Sequence, residues 1–143
     1  MLDAPAFAGP IAVTLALVGL YYGFMIHAAR VKLRLARSYA KRGEKFDRYF
    51  GQDREMLAAD RIQLNLLEHM PPFLVLLWCN AIFVGTASAT VGGTIYVLAR
   101  LAYPFLMGNR LGRSIQAKLL LATVPGYGVM LWFLVTLLWA LLR

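Results

Sequence analysis

The stretch RIQLNLLEHMPPFLVLLWCNAIF, Arg61 to Phe83, decides the fold. Its opening crowds Arg61, Gln63, Asn65, Glu68 and His69 together, and after Pro71 and Pro72 the chain turns almost wholly apolar. An apolar run that approaches about 20 residues reads as a membrane-spanning helix. On a helix each residue turns by about 100°, so Arg61, Asn65, Glu68 and Pro72 fall within an arc of roughly 60°. His69 lies at the edge of that arc. Ile62, Leu64, Leu66, Leu67 and Met70 cover the rest of the surface. Gln63 lies on the far side and needs a different partner, such as a neighbouring subunit.

The rest of the chain agrees with a membrane setting. Of its 143 residues, 60% are hydrophobic and 15% charged, whereas a soluble domain carries roughly a quarter charged. Four apolar segments stand out, at about 6–29, 62–84, 87–107 and 119–142. They predict one domain, an all-α integral membrane four-helix bundle. The first segment lacks a basic leader, follows Asp3 and exceeds the usual length of a cleaved signal, which predicts a retained helix.

The net charge is +8, and ten of the fifteen basic residues fall between Arg30 and Arg61. Because this excess flanks membrane helices, it reads as a topology signal rather than as a nucleic-acid surface. The connection VGTASATVGG is uncharged, whereas GNRLGRSIQAK carries Arg110, Arg113 and Lys118. The first and third connections are therefore expected in the cytoplasm and both termini outside; only Arg143 opposes this. RVKLRLARSYAK reads as a helix continuing out of the membrane. GEKFDRYFG reads as a turn or insert with aromatics near the headgroups, in a basic loop touching anionic lipid. DREMLAADRIQLNLLE reads as a lead-in to the second span.

The lone Cys79 permits no intrachain disulfide and reads as packing. His27 and His69 stand in no metal-ligand spacing, so no metal site is expected. Ala87, Ser88, Ala89, Gly92 and Gly93 would let helices approach closely. Pro125, Gly126 and Gly128 suggest a kink or a close contact in the fourth span.

Charges at membrane depth cost about 2.5 to 3.5 kcal/mol each on insertion scales, so they face protein or a wet cavity. A second polar row, Tyr96, Arg100 and Tyr103, shares one face of the third segment. Glu68, the one acid within the spans, is the expected counter-ion of Arg100, a pairing that could be purely structural. Tyr103 lies nearer the mouth and is the better ligand contact. Arg30, Arg113, Gln116 and Lys118 fall at the same level as Arg61, Asn65, Glu68, His69 and Tyr103. Such a set offers cations for carboxylates, Glu68 for an amine, and Asn65 and Gln116 for amides. It suits a small zwitterionic peptide better than a metal or a nucleotide, and no Gly-rich phosphate loop is present.

The chain resembles the MAPEG family, the membrane-associated proteins of eicosanoid and glutathione metabolism. RIQLNLLEHMPPFLVLLW is similar to the family's R-x-Q-x-N-x-x-E-x-x-P with a following apolar run and Trp. Arg61, Gln63, Asn65, Glu68, Pro71 and Trp78 all fit in register. ARLAYP resembles A-R-x-x-Y in the third helix, and RSIQAKL resembles R-S-x-Q-x-R of the leukotriene-forming branch.

The resemblance implies a homotrimer in membrane lipid that binds glutathione, as co-substrate, between neighbouring subunits. Arg61, Gln63, Asn65 and Glu68 would then contact glutathione. His69 occupies a place often filled by Tyr, Tyr103 is a further contact, and Arg30 matches a basic residue ending the first helix. A cation beside the sulfur would favour the thiolate, supplied by Lys118, Arg113 or Arg30. The implied activity is a glutathione transferase or peroxidase acting on a lipophilic electrophile or lipid hydroperoxide. Two positions depart from the pattern. Met107 stands where a second tyrosine is expected, and Lys118 where the activating Arg falls. Lys is a point charge rather than a planar fork. These departures favour a rival, a non-catalytic lipid-binding or scaffold protein of the same fold. A small transporter is disfavoured by the lack of an inverted repeat.

Overall fold

The computed structural model describes residues 4–112 and 117–143. After a 3-10 turn at Ala4–Phe7, four helices follow: α1 (Ala8–Lys41), α2 (Arg54–Phe83), α3 (Thr86–Met107) and α4 (Leu120–Leu141). All four are long and apolar enough to cross a membrane. Helices suit that role because each satisfies its own backbone hydrogen bonds where no water can. They form an up-and-down bundle in which α2 and α3 each pack on both flanking helices, α1 and α4.

The expected spans are present, but two helices outrun them. α1 has 34 residues and α2 has 30, or about 51 Å and about 45 Å of helix. α3 and α4 have 22 each, about 33 Å, which matches a hydrocarbon core of about 30 Å. The end of α1 and the start of α2 therefore project together beyond the bundle. Ala28, Val31, Leu35, Met56 and Ala59 form a small apolar core between them. Lys32–Asp60 at 2.8 Å and Arg34–Glu55 at 2.6 Å clasp the flanks. The third connection climbs to the same level. Leu111 donates its N–H to the Arg54 carbonyl at 2.9 Å, and Arg54 Nε returns a bond to the Leu111 carbonyl at 2.7 Å.

The segment GEKFDRYFG forms a turn, as expected. Asp47 accepts the N–H groups of Tyr49 and Phe50, both at 2.9 Å, which presents those two rings outward. The length of α1 carries this turn to the far end of the protrusion, away from the bundle. Tyr49 and Phe50 are both strongly exposed at this turn. Asp53 then caps α2, its Oδ1 accepting from Glu55 N at 2.9 Å and Met56 N at 3.3 Å.

Inside the bundle, Val13, Leu17, Phe73, Leu77, Tyr96 and Phe133 are almost fully buried. The small residues of α3 set how closely its neighbours approach. A Cβ on Gly92 would lie 2.5 Å from the Phe133 ring, and one on Gly93 would lie 2.7 Å from Val13. Large apolar side chains cover the outer faces, among them Val75, Phe105, Leu121 and Leu131. Such a surface suits lipid or another copy of the chain, not water.

Candidate functional site

The polar stripe of α2 splits on the shoulder of the bundle. The buried face of this helix, through Ile62, Leu66, Phe73 and Leu77, is centred roughly 130° around from Arg61. Asn65 sits at the inner edge of the stripe and is buried, at 6% exposure. Arg61 and Glu68 sit at its outer edge, their side chains 48% and 52% exposed, with Arg61 Nη1 3.6 Å from Glu68 Oε1. Pro71 and Pro72 lie inside the unbroken helix. Lacking N–H groups, they leave the carbonyls of Leu67 and Glu68 without their usual helical donors. The result is an open wall bearing a cation, a carboxylate and spare backbone acceptors.

Arg100 is not the partner of Glu68. Its Nη1 donates instead to Asn65 Oδ1 at 2.8 Å, while Glu68 faces Arg61. The direction in which α3 presents its polar row decides this: the guanidinium points into the bundle, and Glu68 points out of it. Arg100 is 1% exposed. Its plane lies over the Tyr96 ring, 4.7 Å from the centroid, and Tyr96 in turn stacks on Phe73 at 3.6 Å. Gly126 of α4 leaves room for it, since a Cβ there would fall 3.0 Å from Arg100 Nη2. Nε and Nη2 of Arg100 find no hydrogen-bond partner among the described residues. A buried cation thus rests on one amide and one aromatic face, and the cation–π contact is worth about 0.5–2 kcal/mol.

His69 turns outward toward α4. Its Nε2 lies 3.3 Å from the Tyr127 hydroxyl, and the rings meet edge to face at 5.2 Å. Tyr127 was not singled out from the sequence. The one available signal was a phenol in an otherwise apolar run between Gly126 and Gly128. Tyr103 is 5% exposed and packs with Ala58, Ile62, Met107 and Ala122. Arg61, Arg100 and Glu68 all lie close enough for their charges to act on its phenol. Met107, at the expected place of a second tyrosine, is a core side chain at 3% exposure.

The structure therefore gathers Arg61, Asn65, Glu68, His69 and Tyr103, and adds Arg100 and Tyr127. Gln63 is half-buried on another side of α2. Arg30 opens onto a cleft built from α1 alone, shared with Arg34, Arg37 and Lys41. Lys118 is exposed in a 3-10 turn, Ala117–Leu119, that leads into α4. Arg113 and Gln116 lie outside the described residues. Among the described residues no group of metal-ligating side chains comes together. The wall can bind a carboxylate through Arg61 and an ammonium through Glu68.

A model of the MAPEG family matches residues 10–143. Leukotriene C4 synthase of Bos taurus is 28% identical over 137 residues, covering 96% of this chain and 81% of that enzyme.

Proposed function

The chain belongs to the MAPEG family, and on that premise we propose that it is a glutathione-dependent membrane transferase or peroxidase. The observation that carries this reading is the half-exposed Arg61–Glu68 pair on a membrane helix. Charges left open at that level call for a polar occupant. Glutathione, with two carboxylates, an ammonium and amides, is complementary to Arg61, Glu68 and the free carbonyls beside Pro71 and Pro72. Arg30 and Gln63 open onto other faces than Arg61. They would reach the same ligand from neighbouring copies in a homotrimer whose protruding end lies in the cytoplasm.

The chemistry is attack by the thiolate sulfur. It forms a carbon–sulfur bond on an electrophilic lipid as the leaving group departs or a strained ring opens. On a hydroperoxide the sulfur attacks the terminal oxygen and the O–O bond breaks; the alkoxide takes a proton and leaves as the alcohol, and the sulfenic acid formed on glutathione condenses with a second glutathione to give the disulfide and water. A thiol with a pKa of about 8.5 is mostly protonated at neutral pH, so a nearby cation raises the reactive fraction. Lys118, Arg113 or Arg30 would supply that cation. Titration of glutathione into the detergent-solubilised protein, followed by calorimetry and thiolate absorbance, tests the reading. Neither heat nor thiolate signal at millimolar glutathione sinks it.

Two observations favour the scaffold alternative. Met107 offers no second phenol, and Lys118 is exposed rather than held against the stripe. Turnover of an aryl halide or a fatty-acid hydroperoxide separates the readings, since a lipid-presenting protein binds without converting.

A further inference from the structure

The protrusion contains a second polar cleft, separate from the stripe. It measures about 580 Å³ and lies between the last turns of α1 and the start of α2, with Arg110 closing one side. Four guanidinium groups, those of Arg34, Arg42, Arg54 and Arg110, line it against two carboxylates, Asp53 and Glu55. Both carboxylates are already engaged. Asp53 caps α2 and accepts the Tyr39 hydroxyl at 3.0 Å. Glu55 takes Arg34 at 2.6 Å and Arg110 at 3.4 Å. Glu44, outside the cleft, takes Arg42 at 3.1 Å.

Arg54 is the exception. Its Nε is pinned to the neutral Leu111 carbonyl at 2.7 Å, and that same loop is tied back by Leu111 N. Among the described residues it makes no ion pair. A guanidinium anchored through Nε, with its other donors unpaired among the described residues, is available to an anion. The surroundings reinforce it: from Arg30 to Arg61 ten basic residues stand against five acidic ones. Such a field concentrates anions at the cleft.

We propose that this cleft binds a phosphate-class anion, either a soluble phosphorylated molecule or a phosphate headgroup of the bilayer. The fork of Arg54 can meet two phosphate oxygens at once, and the surrounding arginines, though paired, add to the positive field around it. The site is independent of the glutathione reading, because it shares no residue with Arg61, Asn65, Glu68 or Tyr103.

Pyrophosphate is the probe, measured by calorimetry on the full-length protein in neutral-lipid nanodiscs. Saturable binding that weakens with salt is expected, and Arg54→Gln should weaken it about tenfold. Ser38→Asp, which places a carboxylate in the cleft wall without breaking any ion pair of the protrusion, should do the same. Thermal unfolding without ligand verifies that each variant is folded. A second arm uses nanodiscs containing phosphatidic acid. Loss of pyrophosphate binding there identifies the headgroup as occupant, and its persistence identifies a soluble anion. Absence of pyrophosphate binding, or equal binding by wild type and both variants, overturns the proposal. Arg61→Ala should leave pyrophosphate binding intact while weakening glutathione, so the two sites fail separately.

Discussion

Arg100 reaches across the α2–α3 interface to Asn65, Nη1 donating to Oδ1 at 2.8 Å, and neither residue is more than 6% exposed. One neutral amide and one aromatic face therefore hold a buried cation. Asn65→Leu should destabilise the folded protein by about 2–3 kcal/mol, because it strips a charged donor of its acceptor. Asn65→Asp should be at least as stable as wild type at neutral pH, since it adds the missing negative charge. Thermal unfolding in detergent compares them, and an Asn65→Leu protein as stable as wild type would contradict the geometry.

The close approach of α3 and α4 predicts a contrast between glycines. Gly92→Ala places a Cβ 2.5 Å from the Phe133 ring, and overpacking of this kind costs about 1–3 kcal/mol. Gly128→Ala meets no atom within 4 Å and should leave stability unchanged or raise it by about 0.5–1 kcal/mol through helix propensity. The two unfolding curves read this directly.

Asp53 predicts an acid limb in the stability of the protrusion. Burial works to raise its carboxyl pKa, but the Met56 and Glu55 N–H groups, the Tyr39 hydroxyl and the charge of Arg110 outweigh it, so the pKa falls below 3.8. A depressed carboxylate contributes stability that is fully present above its unfolded value and is lost as pH falls through the folded one. Wild type should therefore lose protection of α2 amides below about pH 4. Asp53→Ala should lose about 1 kcal/mol at neutral pH, as expected for a missing cap, and show a shallower acid limb. Hydrogen exchange at the Glu55 and Met56 amides reports both effects.

In the proposed reaction, Arg61 and Lys118 have different tasks. Arg61→Ala should raise the half-saturating glutathione concentration about tenfold, the size of one lost charged hydrogen bond. Lys118→Ala should chiefly lower turnover, and it should not change stability, because that side chain is exposed. Steady-state kinetics with varied glutathione tests the split. Equal effects on both parameters in both variants would undo it.

The four spans were legible because apolar runs of membrane length have few other readings. The extension of α1 was legible too, from the apolar residues interleaved with bases in RVKLRLARSYAK. The partner of Arg100 was not. Periodicity fixes which residues share a face of one helix, but not how two helices are rotated against each other. Opposite charge pointed to Glu68, yet rotation brought Asn65, one turn away, into reach. The climb of Leu111 to Arg54 was equally hidden, since it rests on backbone bonds that carry no side-chain signature. Arg61, Glu68 and His69 were readable as a stripe. That the stripe straddles the shoulder of the bundle, with Asn65 inside and the ion pair outside, depended on where Phe73 and Leu77 point.

The lone charge of α3 also bears on how the chain enters a bilayer. α3 carries Arg100 together with Ser88, Thr90, Thr94 and two adjacent glycines, and an arginine near a helix centre weighs about 2.5–3.5 kcal/mol against insertion. Its relief comes from Asn65 and from the Tyr96–Phe73 stack, and both Asn65 and Phe73 belong to α2. Because α2 is synthesised first, its amide is in place when α3 arrives. The two helices thus suit insertion as a pair, because the buried donor of α3 meets its acceptor only where α2 lies beside it.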